Sequence, residues 1–143
     1  MASAFTTTRR VEFVDTDTAG IMHFTCFYRF MEQVEHEFFR SLGLSIMQKS
    51  DDGDVIGWPR VSASCNFEAP AYFEDLLEIR LRVDRKGVKS LVMKFEFWRG
   101  DTKIACGQLK AVCCSFRHGE KMKSIKMPPI YDEQIEEAPP EKS

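Results

Sequence analysis

A chain of 143 residues is long enough for one core of ordinary size. Such a chain buries roughly 68–70% of its unfolded surface and needs no disulfide or metal staple. Hydrophobic residues make up 43% and charged residues 29%, as in a soluble globular protein, and a formal net charge of −2 argues against nucleic-acid binding carried by bulk charge. No run of 18 apolar residues marks a membrane span, and the opening MASAFTTTRR lacks the apolar centre of a signal peptide. Cys26, Cys65, Cys106, Cys113 and Cys114 are odd in number and show no CxxC spacing. Reduced thiols in a cytoplasmic protein are the expectation, acting as small buried apolar residues rather than nucleophiles.

In chain order, Thr7, Arg9, Val11 and Phe13 alternate with Thr8, Arg10 and Glu12, the pattern of a first strand. A polar loop with two acids, Asp15 and Asp17, follows. The longest helical pattern comes next. Phe27, Phe30, Met31, Val34, Phe38 and Leu42 recur at three- and four-residue steps, with Glu32, Glu35, His36 and Arg40 largely on the other side. Thr25 is the expected N-cap and Gly43 the expected C′ residue. Lys49-Ser50-Asp51-Asp52-Gly53 makes Ser45–Asp54 a loop.

From Pro59 the period changes to two. Val61, Ala63, Cys65 and Phe67 alternate with polar residues, which predicts a strand with one face on a core. Ala69-Pro70-Ala71 ends or kinks it. Leu77–Val83 and Leu91–Phe97 alternate in the same way, joined by a turn at Arg85-Lys86-Gly87. After Arg99-Gly100-Asp101, a long strand is expected over Ile104–Phe116, with Gly107 inside it as a bulge or a point of close approach. Lys121–Lys126 reads as a short strand or coil, residues 130–137 as a short acidic helix, and the final APPEKS as disordered.

One strand, one long helix and four strands joined largely by tight turns predict a two-layer α+β domain, an antiparallel sheet curved around the helix. The whole chain, 1–143, is expected to be a single domain with its core over about 6–128 and a tail over 129–143. Exposed sheet edges favour a symmetric oligomer joined edge to edge. The acid loop sits at the N-terminal end of the helix, where unpaired N–H groups and the positive end of the dipole collect. A carboxylate facing free N–H donors is an arrangement for attacking or holding a carbonyl.

Asp15-Thr16-Asp17-Thr18-Ala19-Gly20-Ile21, followed by the long helix, resembles the active-site signature of the 4-hydroxybenzoyl-CoA thioesterase family. Phe67-Glu68-Ala69-Pro70-Ala71 with Asp75-Leu76-Leu77-Glu78-Ile79 resembles a segment of related acyl-CoA thioesterases. Together the matches span roughly Thr7 to Pro128. The resemblance implies the hotdog fold, and the hydrolysis of an acyl-CoA to a free acid and coenzyme A. It implies Asp17 as the catalytic carboxylate and a backbone N–H near Phe24 as the group polarising the carbonyl. It further implies that basic residues hold the coenzyme, at positions matched here by Lys89-Ser90 and by Lys121 and Lys123.

An ionised Asp17 can attack the carbonyl or activate a water, and both routes stay open. Gly20 allows close backbone approach or a positive φ beside it. Asp15 is expected to fix the loop through backbone N–H bonds. His23 is expected to line the substrate pocket or to pack. No second histidine stands at ligand spacing for a metal. No cofactor is expected beyond the coenzyme A of the substrate. The expected partners are an acyl-CoA and further copies of the chain, as a homodimer or homotetramer with sites between subunits, and no nucleic acid. The alternatives are a thioesterase acting on acyl carrier protein and a non-catalytic acyl- or aromatic-binding module.

Overall fold

The structure is a computed structural model and describes residues 1–141. Its centre is one 18-residue helix, α1 (Phe24–Ser41). Around it the chain lays down β1 (Ala4–Arg10), β2 (Met47–Lys49), β3 (Val55–Gly57), β4 (Arg60–Phe67), β5 (Leu76–Lys86), β6 (Ser90–Arg99), β7 (Thr102–Val112), β8 (Cys114–Phe116) and β9 (Lys123–Ser124), then a short helix, α2 (Pro129–Asp132). β1, β5, β6, β7 and β4 pair in that order into an antiparallel five-stranded sheet. This is the expected hotdog arrangement, with a sheet curved around one long helix.

The alternating positions explain the packing. Leu77, Ile79, Leu81 and Val83 on β5, and Leu91, Met93, Phe95 and Phe97 on β6, are at most 1% exposed. They meet Phe27, Phe30, Met31, Val34 and Phe38 of α1, all buried. Each large side chain removed from water contributes roughly 1.5–3 kcal/mol. α1 stops in a Schellman motif: Gly43 takes φ +74°, its N–H donates to Arg40 O, and Leu44 N–H donates to Phe39 O.

Several expectations are corrected. The first strand lies earlier, at Ala4–Arg10, and Phe13–Asp15 is a 3₁₀ turn. The Ser45–Asp54 loop contains β2, which pairs with β3 in a second, four-stranded sheet completed by β8 and β9. The long strand over Ile104–Phe116 breaks at Cys113, where the chain passes from the large sheet to the small one. The core does not stop at residue 128, because Tyr131 and Ile135 are fully buried. The C-terminal stretch is also tied down: Ala138 N–H donates to Val83 O, and Arg82 binds Pro139 O and Glu141. Lys142 and Ser143, the end of the segment expected to be disordered, lie outside the described residues.

Two further corrections bear on the site. β4 is an edge strand, and its apolar face meets its own core only in part: Cys65 packs on the core and the Phe67 ring meets Phe27, while Val61 is 59% and Phe67 49% exposed. Glu35, expected on the polar side of α1, is fully buried and ion-paired with Arg60.

Candidate active site

The acid loop is built by short-range bonds. Asp17 C=O accepts the Gly20 N–H at 2.9 Å, and Asp17 N–H donates to Ile21 O at 2.9 Å. Asp17 Oδ1 accepts the Ala19 N–H at 2.8 Å, leaving its second oxygen without a protein partner among the described residues. Gly20 takes φ +79°, a left-handed conformation that favours glycine. Its place is therefore in the turn, and it does not line the cavity beside Asp17. Asp15 fixes the loop as expected: it is 5% exposed, and its Oδ2 accepts the Glu12 N–H at 2.9 Å.

The loop is stitched to the wall opposite. Met22 N–H donates to Ala71 O at 2.7 Å, and Ile21 bridges Tyr72. Arg99 braces that wall by donating to Pro70 O at 2.9 Å and Asp75 Oδ2 at 2.8 Å. Between loop and wall lies a cavity of about 490 Å³, lined by Asp17, Phe24, Phe27, Phe67, Glu68 and Pro70 among others. Apart from Asp17 and Glu68 the lining is apolar or aromatic. A groove of about 520 Å³ on the outer sheet face is lined instead by charged residues such as Arg80, Arg82, Lys94 and Glu96. Neighbouring acids already partner Arg80, Arg82 and Lys94.

Helix α1 begins at Phe24, and its N-cap is His23, not Thr25. His23 Nδ1 accepts the Thr25 N–H at 3.2 Å and lies 2.7 Å from Thr25 Oγ1, while the ring stacks on Phe24. His23 thus caps the helix and does not line the cavity. The Cys26 N–H donates to His23 O, whereas the Phe24 N–H has no partner among the described residues. Phe24 lines the same cavity as Asp17, and an open donor at the positive end of a long helix is the kind of group that receives a carbonyl oxygen.

The coenzyme candidates lie elsewhere in the chain. Lys89, Lys121 and Lys123 are exposed and Ser90 is half-buried. Ser90 pairs with Val112, Arg60 pairs with Ala111, and Lys123 pairs with Ser115. All four residues therefore belong near the Arg60 end of β4, while the Asp17 cavity is at its Phe67 end. At 3.3 Å per residue, β4 separates the ends by about 23 Å. A single chain does not bring them together.

Thiol chemistry has no support. Burial pushes Cys65 and Cys113 up to about 12 and raises Cys26 and Cys114 as well, so these thiols stay protonated at neutral pH. Sequence reasoning missed the wall as a structural partner of the loop, since nothing in the spacing joins Ile21 to Tyr72.

A curved sheet around one helix, with an acid loop beside an open helix N-terminus, defines a hotdog-fold thioester hydrolase. The chain belongs to the thioesterase superfamily, whose sequence model matches residues 19–106. The 4-hydroxybenzoyl-CoA thioesterase of Pseudomonas sp. (strain CBS-3) is 27% identical over 138 residues, 93% of this chain and 98% of its own. A solved 1,4-dihydroxy-2-naphthoyl-CoA thioesterase from Synechocystis superposes with a TM-score of 0.78 at 25% identity, covering 92% of this chain and 94% of that one. A gentisyl-coenzyme A thioesterase superposes with a TM-score of 0.75 at 29% identity, covering 88% and 98%.

Proposed function

We propose that this chain is an acyl-CoA thioesterase that hydrolyses its substrate to a free carboxylic acid and coenzyme A. One observation carries the reading: Asp17 and Phe24, whose N–H is open at the helix start, line one largely apolar cavity. The three relatives named above, a 4-hydroxybenzoyl-CoA, a 1,4-dihydroxy-2-naphthoyl-CoA and a gentisyl-coenzyme A thioesterase, support an aromatic acyl-CoA as substrate.

In this reading the acyl carbonyl lies between the two groups. As a nucleophile, Asp17 adds to the carbonyl carbon; the oxygen gains charge that the Phe24 N–H stabilises; the thiolate of coenzyme A leaves, and water cleaves the resulting mixed anhydride. As a general base, Asp17 takes a proton from a water that adds instead. A thiolate is a good leaving group, so neither route demands a strong acid. The substrate carries its own coenzyme A, and no further cofactor has a step to perform.

The coenzyme phosphates fall to Lys89, Ser90, Lys121 and Lys123, acting as a basic cluster. That assignment requires a second copy. Antiparallel pairing of two β4 edges about a two-fold axis sets the Arg60 end of one copy against the Phe67 end of the other. A homodimer, or a homotetramer built from two such pairs, in the cytoplasm completes the proposal.

The test is thiol release from a panel of acyl-CoAs by wild type and Asp17→Asn, with enzyme-only blanks because five cysteines also react. Asn keeps the shape and removes the charge. Turnover by the wild type and a loss of at least about 1,000-fold in the variant is the expected result, the scale seen when a reacting group is deleted. Equal turnover would make Asp17 a turn residue only. Tight product binding without hydrolysis by the wild type would turn the site into a ligand-binding module, and turnover restricted to acyl carrier protein would move the substrate.

A further inference from the structure

Asp15 ties three segments together. Its Oδ2 holds the Glu12 N–H at the start of the 3₁₀ turn. Its carbonyl oxygen accepts the His23 N–H at 2.8 Å, one residue before Phe24. Its Oδ1 accepts Arg29 Nη2 at 3.0 Å, from the second turn of α1. The same Nη2 lies 2.9 Å from Cys26 Sγ. The Asp15 side chain is 7% exposed and that of Arg29 51%, so the guanidinium reaches inward from the surface to a carboxylate that has no other cation among the described residues. A buried carboxylate without such a partner is held poorly.

We propose that Arg29 is a positioning residue for the Asp17 reaction: acting through Asp15, it sets where the Asp17 carboxylate stands relative to the Phe24 N–H. This rests on the reading that those two groups do the chemistry. Asp17 is two residues after Asp15, and Phe24 follows the residue that Asp15 O holds. The acid and the donor are therefore attached to opposite sides of one clamp, and Arg29 anchors that clamp to the helix. Arg29 is not among the residues lining the cavity, and its polar partners among the described residues are Asp15 and Cys26, not Asp17 or Phe24. A displacement of about 1 Å at reacting atoms can cost about 100-fold in rate.

The experiment uses the full chain and an acyl-CoA that the wild type turns over. Arg29→Gln, Arg29→Lys and Asp17→Asn are compared for kcat, KM and the hydrogen exchange of the Glu12 and His23 amides. Arg29→Gln is expected to lower kcat by about 10- to 100-fold with KM changed by less than about threefold, because geometry rather than binding is lost. Its Glu12 and His23 amides are expected to exchange faster. Arg29→Lys keeps the cation but not the planar fork, so its kcat is expected to fall between Gln and wild type. It also decides the matter if the Gln variant does not fold. Wild-type kcat in both Arg29 variants, or a kcat loss with unchanged loop exchange, overturns the inference while Asp17→Asn remains dead. Full turnover by Asp17→Asn overturns the catalytic reading itself and takes this inference with it.

Discussion

Gly107 shows how closely α1 sits against the sheet. It pairs with Phe95 on one side and Cys65 on the other without a break in register, so it is a point of close approach and not a bulge. A Cβ built there would collide with Met31 Sδ and stand 3.2 Å from the Ser64 carbonyl oxygen. Met31 is fully buried between the helix and the strands, which leaves its sulfur little room to retreat. Gly107→Ala is therefore expected to destabilise the fold by about 1–3 kcal/mol, the usual range for overpacking. Chemical denaturation measures it. Met31→Ala in the same chain opens the space that the new methyl needs, so the double variant is expected to lose less than the sum of the two single losses.

At the scale of the element, α1 carries charge where a simple amphipathic helix would not. Glu35 is fully buried and reaches Arg60 of β4, and His36 Nε2 lies 3.3 Å from Arg60 Nη2 and 3.8 Å from Glu35 Oε1. Burial lowers the His36 pKa below its ordinary 6.5 and Arg40 lowers it further, against the opposing pull of Glu32. The unfolded chain then binds more protons than the folded one as pH falls through about 6.5. His36 thus contributes stability that is present above that pH and is lost below it. Between pH 7 and pH 5, His36→Gln is expected to lose less stability than wild type, read as the shift in urea midpoint at each pH. An equal shift in both proteins would remove His36 from the account. The same elements show what could be learned from the residues alone. β5, β6 and the apolar stripe of α1 declare themselves by period, because their partners are their own neighbours in one core. Histidine at the N-cap is not legible in the sequence, because threonine is a common N-cap and histidine is not, and Thr25 stands two residues on. The burial of Glu35 depends on an arginine 25 positions later, and three-residue strands such as β2 and β3 are too short to show any period.

For the whole molecule, the telling strand is β4. Its alternation reads the same whether the whole of its apolar face meets the core of its own chain or part of it is left open, so period alone does not show that Val61, Ala63 and Phe67 are exposed while Cys65 packs inside. The acid loop at the helix start and the family signature are legible because loop and helix are contiguous. The distance between Asp17 and the lysines was not, because it is set by the length of β4. On the proposed two-fold pair, residues in the middle of β4 lie beside their own symmetry mates. Ala63 is one of these, and it is exposed in the single chain. A lysine there changes the isolated fold little, by about 0.5 kcal/mol or less. In the pair it sets like charges against each other and puts a charge on a joining edge. Wild type is expected to sediment as a dimer or tetramer at micromolar concentration, and Ala63→Lys as a monomer with an unchanged circular dichroism spectrum. Its hydrolysis of acyl-CoA is expected to fall chiefly through KM, because separation of the copies removes the partner's Lys89, the partner's Lys121 and the partner's Lys123 from the Asp17 cavity. An Ala63→Lys protein that stays oligomeric and fully active would show that another surface joins the copies, and would leave the lysines without a route to the coenzyme.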